Sequence, residues 1–270
     1  MSFSLNGKTA IVTGAANGVG RAIALHFADV GANVMCVDID EERLTEDLGE
    51  IAEQENSKIR LFAGDLRERL TIANLLSATL DAFDRVDVLV NASRQVLASD
   101  PLNPEDDAME VMLQQNLMAS FRLTQYVAKR MIKQAAEDES EDGNIGSIVN
   151  LSSIAADRTR PGLLAYSVSA AALDQLTRSM AVALSGQRIR VNAIAIGSVM
   201  SASLQMQLKD RSGLREEILS NTPLGRIASA NEVVEAAQFL ASDSAGFITG
   251  QVLTMDGGRT LLDPVSVPAH

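Results

Sequence analysis

Residues 13–20 form the glycine-rich segment Thr13-Gly14-Ala15-Ala16-Asn17-Gly18-Val19-Gly20, which is the most informative part of this chain about its fold. It follows an apolar run typical of a β-strand, residues 9–13, and it opens a segment with the apolar spacing of a helix, residues 18–30. Glycines at such a turn let the chain reverse tightly and let backbone amides approach a pyrophosphate at the positive end of the helix. We therefore predict a dinucleotide-binding turn, whose contact residues are Gly14, Asn17, Gly18, Val19 and Gly20.

An acidic residue stands at the end of the next apolar run. Asp38 comes eighteen residues after Gly20. A carboxylate at that point hydrogen-bonds the ribose hydroxyls of adenosine and repels a 2′-phosphate. Neither Ala15 nor Ile39 offers a cation that would compensate. The sequence therefore predicts NAD as the cofactor, in preference to NADP.

Short apolar runs alternate with helical segments along the whole chain. The runs read as strands at residues 9–13, 33–37, 59–63, 86–90, 145–151, 190–196 and 251–254, and the helices at 18–30, 41–54, 69–83, 106–133, 164–184 and 231–240. Nearly continuous apolar runs indicate strands covered on both faces, as in a parallel sheet. We predict an α/β fold with a doubly wound, seven-stranded parallel sheet of the Rossmann type, and a single domain over residues 1–270.

Composition narrows the class of function. The net charge of −12 and the pI near 4.6 disfavour a nucleic-acid partner. No apolar stretch reaches the roughly 18 residues of a membrane helix, and no apolar leader follows Met1, so we expect no membrane span and a cytoplasmic location. Cys36 is the only cysteine, which excludes an intrachain disulfide. We expect no metal site.

Two segments lie outside this strand and helix pattern. Residues 135–144 are acidic and read as a solvated loop. Residues 198–225 are expected to close the substrate pocket, and the side chains of Met200, Leu204, Met206 and Leu208 indicate either an apolar pocket wall or an amphipathic helix.

With further motifs the chain resembles the short-chain dehydrogenase/reductase family from end to end. The spacing Thr-Gly-x3-Gly-x-Gly is that family's variant of the glycine turn, and Ser153 lies thirteen residues before Tyr166, as the family's catalytic serine and tyrosine do. Asp65-Leu66 and Asn116 match its adenine-pocket pair and its helix asparagine. The tail agrees in order, with Thr222-Pro223-Leu224-Gly225-Arg226, then Ile248-Thr249-Gly250-Gln251, then Asp256-Gly257-Gly258.

This resemblance implies an oxidoreductase that interconverts a hydroxyl and a carbonyl, and the apolar side chains of residues 198–225 favour a small, apolar substrate. It implies that Tyr166 is the general acid/base, that Ser153 binds the substrate oxygen and that Asn116 anchors a water relay. It also implies a homotetramer or homodimer, formed through the helices at 106–133 and 164–184. The cofactor contacts that it adds are Asp65, Leu66, Asn91, Val199 and Ser201, and the interface residues are Ala119, Ala170, Ala171, Ala172, Met180 and Ala181.

Three departures from the family pattern stand close to this site. Ala170 occupies the position of the family's lysine, whose charge, one helical turn after the tyrosine, favours the ionised tyrosine and holds the nicotinamide ribose. After the fourth strand the chain has Asn91-Ala92-Ser93-Arg94, and two registers against the family motif are open; in the ungapped one Arg94 replaces a glycine. Ile196-Gly197 replaces proline-glycine after the sixth strand.

Two functions therefore remain open. The first is an NAD(H)-dependent oxidoreductase of impaired or altered chemistry, in which Arg94 or an ordered water takes the place of the lost charge. The second is a catalytically silent relative that binds nucleotide or ligand as a sensor or an inactive subunit. A working enzyme into which Ala170 was introduced is a third alternative.

Overall fold

The computed structural model describes residues 3–105, 108–139 and 142–263, and of residues 202 and 203 the backbone alone. Three predictions fall partly outside these ranges. They are the first two residues of the predicted helix 106–133, residues 140 and 141 of the acidic segment, and both ends of the predicted domain 1–270.

Seven strands form one parallel sheet. They are β1 Thr9–Thr13, β2 Asn33–Asp38, β3 Ile59–Ala63, β4 Val88–Asn91, β5 Gly146–Ser153, β6 Ile189–Ile196 and β7 Val252–Met255. Their order is β3-β2-β1-β4-β5-β6-β7, and every pairing is parallel. The predicted fold class is thus confirmed. The strand order reverses between β1 and β4, and ligands of open α/β sheets bind at such a switch point, beyond the carboxyl ends of the strands.

Helices cover both faces of the sheet. They are α1 Gly18–Asp29, α2 Glu41–Ala52, α3 Arg69–Phe83, α4 Ala108–Met112, α5 Ala119–Glu137, α6 Leu164–Ser185, α7 Ala202–Asp210, α8 Leu214–Ser220 and α9 Ala230–Ala241. Phe27 of α1 and Leu48 of α2 are fully buried in one layer, which α9 completes. Leu75 of α3 and Val127 of α5 are fully buried in the other, which α6 completes.

The helix predicted at 106–133 is interrupted. Between α4 and α5 the chain forms a π-helical segment, Leu113–Met118, in which each turn holds an additional residue. Asn116 is the only buried residue of this segment. The interruption was not predicted, because the apolar spacing continues through it.

One other prediction on this side of the molecule is corrected. The segment 135–144 is not all loop, because α5 continues to Glu137. Of the six residues predicted at an interface between subunits, Ala119, Ala170 and Ala181 are buried within the chain, where their small side chains allow close packing. The interface itself stays a prediction.

Within the segment 198–225 the chain forms the helices α7 and α8. Ser201 begins α7, because its Oγ accepts a hydrogen bond from the backbone N of Leu204 at 3.2 Å. In the described ranges no helix is both long and apolar enough to cross a membrane.

Candidate active site

A cleft of about 680 Å³ lies beyond the carboxyl ends of the strands, at the switch point. One wall comes from the glycine turn with the ends of β2 and β3, and the other from the loop after β4 with the start of α7. The predicted cofactor contacts all line it, namely Gly14, Asn17, Gly18, Val19, Gly20, Asp38, Asp65, Leu66, Asn91, Val199 and Ser201.

The glycine turn holds its shape because two of its residues have no side chain. Gly14 has a φ of +70°, and a Cβ there would lie 2.9 Å from the carbonyl carbon of Ala92. A Cβ on Gly20 would lie 2.2 Å from the carbonyl oxygen of Gly14. Asn17, which precedes α1, makes no side-chain hydrogen bond to it. The first amides of α1 are therefore left to face the cleft, which fits a pyrophosphate.

Asp38 ends β2 beside this turn. Its Oδ2 accepts a hydrogen bond from the backbone N of Ala16 at 3.0 Å, and its Oδ1 accepts one from the backbone N of Asp40 at 3.1 Å. The carboxylate thus fixes the turn, and each oxygen keeps a lone pair for a ribose hydroxyl. Its neighbour Ile39 is exposed and lines the same part of the cleft.

Asp65 and Leu66 follow β3. Both carboxylate oxygens of Asp65 accept hydrogen bonds from the Arg67 guanidinium, at 2.6 to 3.0 Å, and this ion pair holds the pKa of Asp65 below its usual range. Leu66 is half-buried against α3 and α5. The cleft is therefore lined here by a carboxylate whose charge Arg67 neutralises and by the apolar side chain of Leu66.

The side chain of Asn91 is used inside the protein. Its Nδ2 donates to Asn150 Oδ1 at 2.8 Å and to Thr124 Oγ1 at 3.3 Å. Asn150 in turn donates to Thr177 at 2.9 Å. This buried chain ties β4 and β5 to α5 and α6. Contact between Asn91 and a cofactor stays a prediction, and the structure leaves mainly its backbone for that role.

Tyr166 lies in the first turn of α6, largely buried among Ala108, Met112 and Ala165. Its hydroxyl accepts a hydrogen bond from Arg94 Nη1 at 3.3 Å. Arg94 itself lines the cleft, and among the described lining residues it is the only lysine or arginine. Ala170, one turn further along α6, is buried and has no polar group. The cationic partner of the tyrosine hydroxyl therefore comes from the β4 loop and not from α6.

Asn116 holds this loop in place. Its Oδ1 accepts from the backbone N of Gln95 at 2.8 Å, and its Nδ2 donates to the backbone O of Gln95 at 2.9 Å. The same Nδ2 lies 3.2 Å from Ser169 Oγ, which donates to the backbone O of Tyr166 at 2.8 Å. One asparagine thus joins the residue after Arg94 to the helical turn of Tyr166.

Thr13 holds the other end of the loop. Its Oγ1 accepts hydrogen bonds from the backbone N of Ala92 and of Ser93, both at 3.0 Å. The sequence analysis gave no role to Thr13, Gln95 or Ser169. A hydroxyl at the end of the strand next to β4 is a signal that could have identified Thr13. No local signal identifies Gln95 or Ser169.

Ser153 is the last residue of β5 and is buried. Its Oγ accepts from the backbone N of Ala155 at 3.2 Å and so caps the short 3₁₀ turn Ile154–Ala156. Ala155 packs in the same small cluster as Tyr166. The hydroxyl of Ser153 keeps its proton to donate.

Within the ranges described, no three His, Cys, Asp or Glu side chains come together in a way that could hold a metal ion.

Comparison with known proteins gives the same family by sequence and by structure. Residues 14–260 match a family model described as enoyl-(acyl carrier protein) reductase. The 3-oxoacyl-[acyl-carrier-protein] reductase FabG of Thermotoga maritima is 35% identical over 257 residues, which are 95% of this chain and 99% of that protein. The short chain dehydrogenase/reductase astE of Aspergillus oryzae is 32% identical over 263 residues, 96% and 97% of the two chains.

A solved structure, 7 alpha-hydroxysteroid dehydrogenase complexed with NADH and 7-oxo glycochenodeoxycholic acid, superimposes with a TM-score of 0.85. It is 30% identical, and the match covers 95% of this chain and 96% of that one. The glycine turn, the strand order and these relatives agree, and the chain belongs to the short-chain dehydrogenase/reductase family of oxidoreductases.

Proposed function

We propose that this protein is an NAD(H)-dependent oxidoreductase that interconverts a hydroxyl and a carbonyl group on a small molecule. The observation that carries the proposal is the Tyr166 hydroxyl, which is hydrogen-bonded to an arginine of the dinucleotide cleft. A phenol at this place can exchange a proton with a substrate oxygen, as hydride transfer at the neighbouring carbon requires.

The cleft suits a nicotinamide dinucleotide. The amides of Gly18, Val19 and Gly20 would hold the pyrophosphate, and Asp38 would bind the adenosine ribose and disfavour a 2′-phosphate. When bound, the nicotinamide ring supplies a hydride to a carbonyl carbon or accepts one from a carbinol carbon. The related steroid dehydrogenase, whose complex holds NADH and a 7-oxo compound, supports this cofactor class.

The protein's own residues would handle the proton. In oxidation, the O–H bond of the substrate breaks, its proton passes to the Tyr166 oxygen, and the C–O single bond becomes a carbonyl. In reduction, Tyr166 gives its proton to the oxygen of the new alcohol. Ser153 would donate a hydrogen bond to the same substrate oxygen, which stabilises the negative charge that develops there. Asn116 serves by holding the loop next to Arg94.

The cleft wall supports a substrate with both apolar and polar parts. Of the four residues expected to form an apolar wall, Leu204 lines the cleft. Met206 is exposed on α7. Gln115 and Gln207 line the cleft as well and would hydrogen-bond polar groups of a substrate.

We also propose that the protein works as a cytoplasmic homodimer or homotetramer. Leu164, Val168 and Val182 on α6 are large apolar side chains that face solvent, and burying them against a second copy would be favourable. The one cysteine, Cys36, is an unpaired thiol, which suits a reducing compartment.

The test is turnover with a panel of ketones and secondary alcohols, followed by the absorbance of NADH. We expect at least one ketone and its alcohol to react. Tyr166→Phe should lower the rate by about 10²-fold or more while NADH still binds. NADH binding without turnover of any compound would favour the catalytically silent, ligand-binding relative instead.

A further inference from the structure

The environment of the Tyr166 hydroxyl contains one positive charge in contact with it. Apolar side chains surround the ring on α4 and α6, and Arg94 Nη1 lies 3.3 Å from the oxygen. The other charged groups on the neighbouring elements are Glu110 of α4, Asp157 and Arg158 after β5, and Asp174 of α6. None of these four has a hydrogen bond to the hydroxyl. Arg94 is therefore the charged group in contact with the hydroxyl.

The guanidinium of Arg94 is available for this role. In the described ranges it makes no ion pair, and its one side-chain hydrogen bond is the one to Tyr166. By contrast, Arg160 and Arg211 both pair with Glu217. A guanidinium stays protonated at every pH that a protein tolerates, so Arg94 cannot itself exchange the proton. What it can do is stabilise a negative oxygen.

The position of Arg94 is fixed from both sides. Thr13 binds the two backbone amides before it, and Asn116 binds the backbone of Gln95 after it. Asn116 is connected through Ser169 to the backbone of Tyr166. The π-helical turn that carries Asn116 thus couples the guanidinium to its tyrosine. Such coupling is what a catalytic pair needs and what a chance surface contact lacks.

We propose that Arg94 supplies the positive charge that stabilises a negative Tyr166 oxygen, which is the form that takes the proton of a substrate hydroxyl. The inference rests on the proposed function, because it assigns a catalytic role within the same reaction. It explains how the site can work with Ala170 on α6, because the charge that contacts the hydroxyl comes from the loop after β4.

The direct test is a spectroscopic titration that needs neither substrate nor cofactor. The chain has two tyrosines and no tryptophan, so in a Tyr126→Phe background the ultraviolet tyrosinate signal reports Tyr166 alone. We expect Arg94→Met to raise the midpoint of this titration by about 1 to 3 pH units. Arg94→Lys should keep most of the effect, and adding Ala170→Lys to Arg94→Met should restore it. Arg69→Met, which removes an exposed arginine at the start of α3, is the matched control and should change nothing.

Kinetics on the same variants separate this proposal from the proposed function. We expect Arg94→Met to lower kcat for alcohol oxidation at pH 7 by about 10²-fold. The difference in kcat between the variant and the wild type should become smaller at alkaline pH. The kcat for carbonyl reduction should fall less. An unchanged titration midpoint in Arg94→Met would overturn the role of Arg94, whatever the wild type turns over. A rise in KM confined to carboxylate substrates, with kcat and the midpoint of the tyrosinate titration unchanged, would show that Arg94 binds substrate. That result would also overturn its catalytic role. If the midpoint shifts but the wild type turns over no substrate, the proposed function fails and the catalytic role with it.

Discussion

Replacing Asn116 by alanine should both destabilise the protein and slow the reaction. The side chain makes two hydrogen bonds with the backbone of Gln95 and a third with Ser169, at 2.8 to 3.2 Å. A hydrogen bond of this kind contributes about 1 kcal/mol net to the free energy of unfolding. Because Gln95 is exposed, water replaces part of what is lost. We therefore expect Asn116→Ala to lower the free energy of unfolding by about 2 to 3 kcal/mol.

The effect on turnover follows from the freedom given to the loop. With Gln95 released, Arg94 is no longer held at Tyr166, and a displacement of about 1 Å in a catalytic group costs up to about 10²-fold in rate. Urea unfolding measures the stability, and kcat for alcohol oxidation at pH 7 measures the second effect. Gln114→Ala is the matched control, since Gln114 is an exposed amide in the same π-helical segment. If Asn116→Ala were no more harmful than Gln114→Ala in both assays, Asn116 would not hold the loop as described.

Three further predictions follow from other parts of the structure. By calorimetry NADH should bind at least about 10-fold more tightly than NADPH, because the Asp38 carboxylate repels a 2′-phosphate. Asp38→Ser should reduce the ratio of the two affinities, and equal affinities in the wild type would contradict the predicted preference. Light scattering should give the mass of a dimer or tetramer, and Val182→Glu should weaken the assembly, whereas a wild-type monomer at micromolar concentration would count against an interface on α6. Burial raises the pKa of the Cys36 thiol to about 12, so iodoacetamide at pH 8 should leave the folded protein unmodified and label it in guanidinium; rapid labelling of the folded chain would show that Cys36 is accessible.

Much of the architecture could be predicted from the sequence because it is encoded locally. The glycine turn and Asp38 need only a strand, a turn and a helix in succession, and the structure has them at the predicted residues. The strands were predicted to within about two residues, since a buried parallel strand is apolar along its whole length. Their order in the sheet depends on contacts between distant parts of the chain, so the alternation of strands and helices predicted the class of fold but not that order.

What the sequence did not predict depends on long-range contacts. The hydrogen bond between Arg94 and Tyr166 joins residues 72 positions apart, and Arg94 was expected only as one of two ways to replace the missing charge. The π-helical segment could not be predicted from helical periodicity, because the apolar spacing continues through it. Its effect, the contact between Asn116 and Gln95, joins distant parts of the chain. Ala170 and Ala181 of α6 were predicted at an interface between subunits but are buried within the chain, because a pattern of alanines indicates close packing and does not identify the packing partner.

If hydride passes between NAD(H) and a carbonyl carbon while Tyr166 carries the proton, deuterium from the cofactor must appear in the alcohol. Mass spectrometry can follow the alcohol formed from a panel of ketones with NADH deuterated at the transferable position. We expect a product that has gained one deuterium with the wild type, and none above background with Tyr166→Phe. Deuterium in no product, from a wild-type protein shown by calorimetry to bind NADH, would contradict the claim and leave a nucleotide-binding protein without turnover.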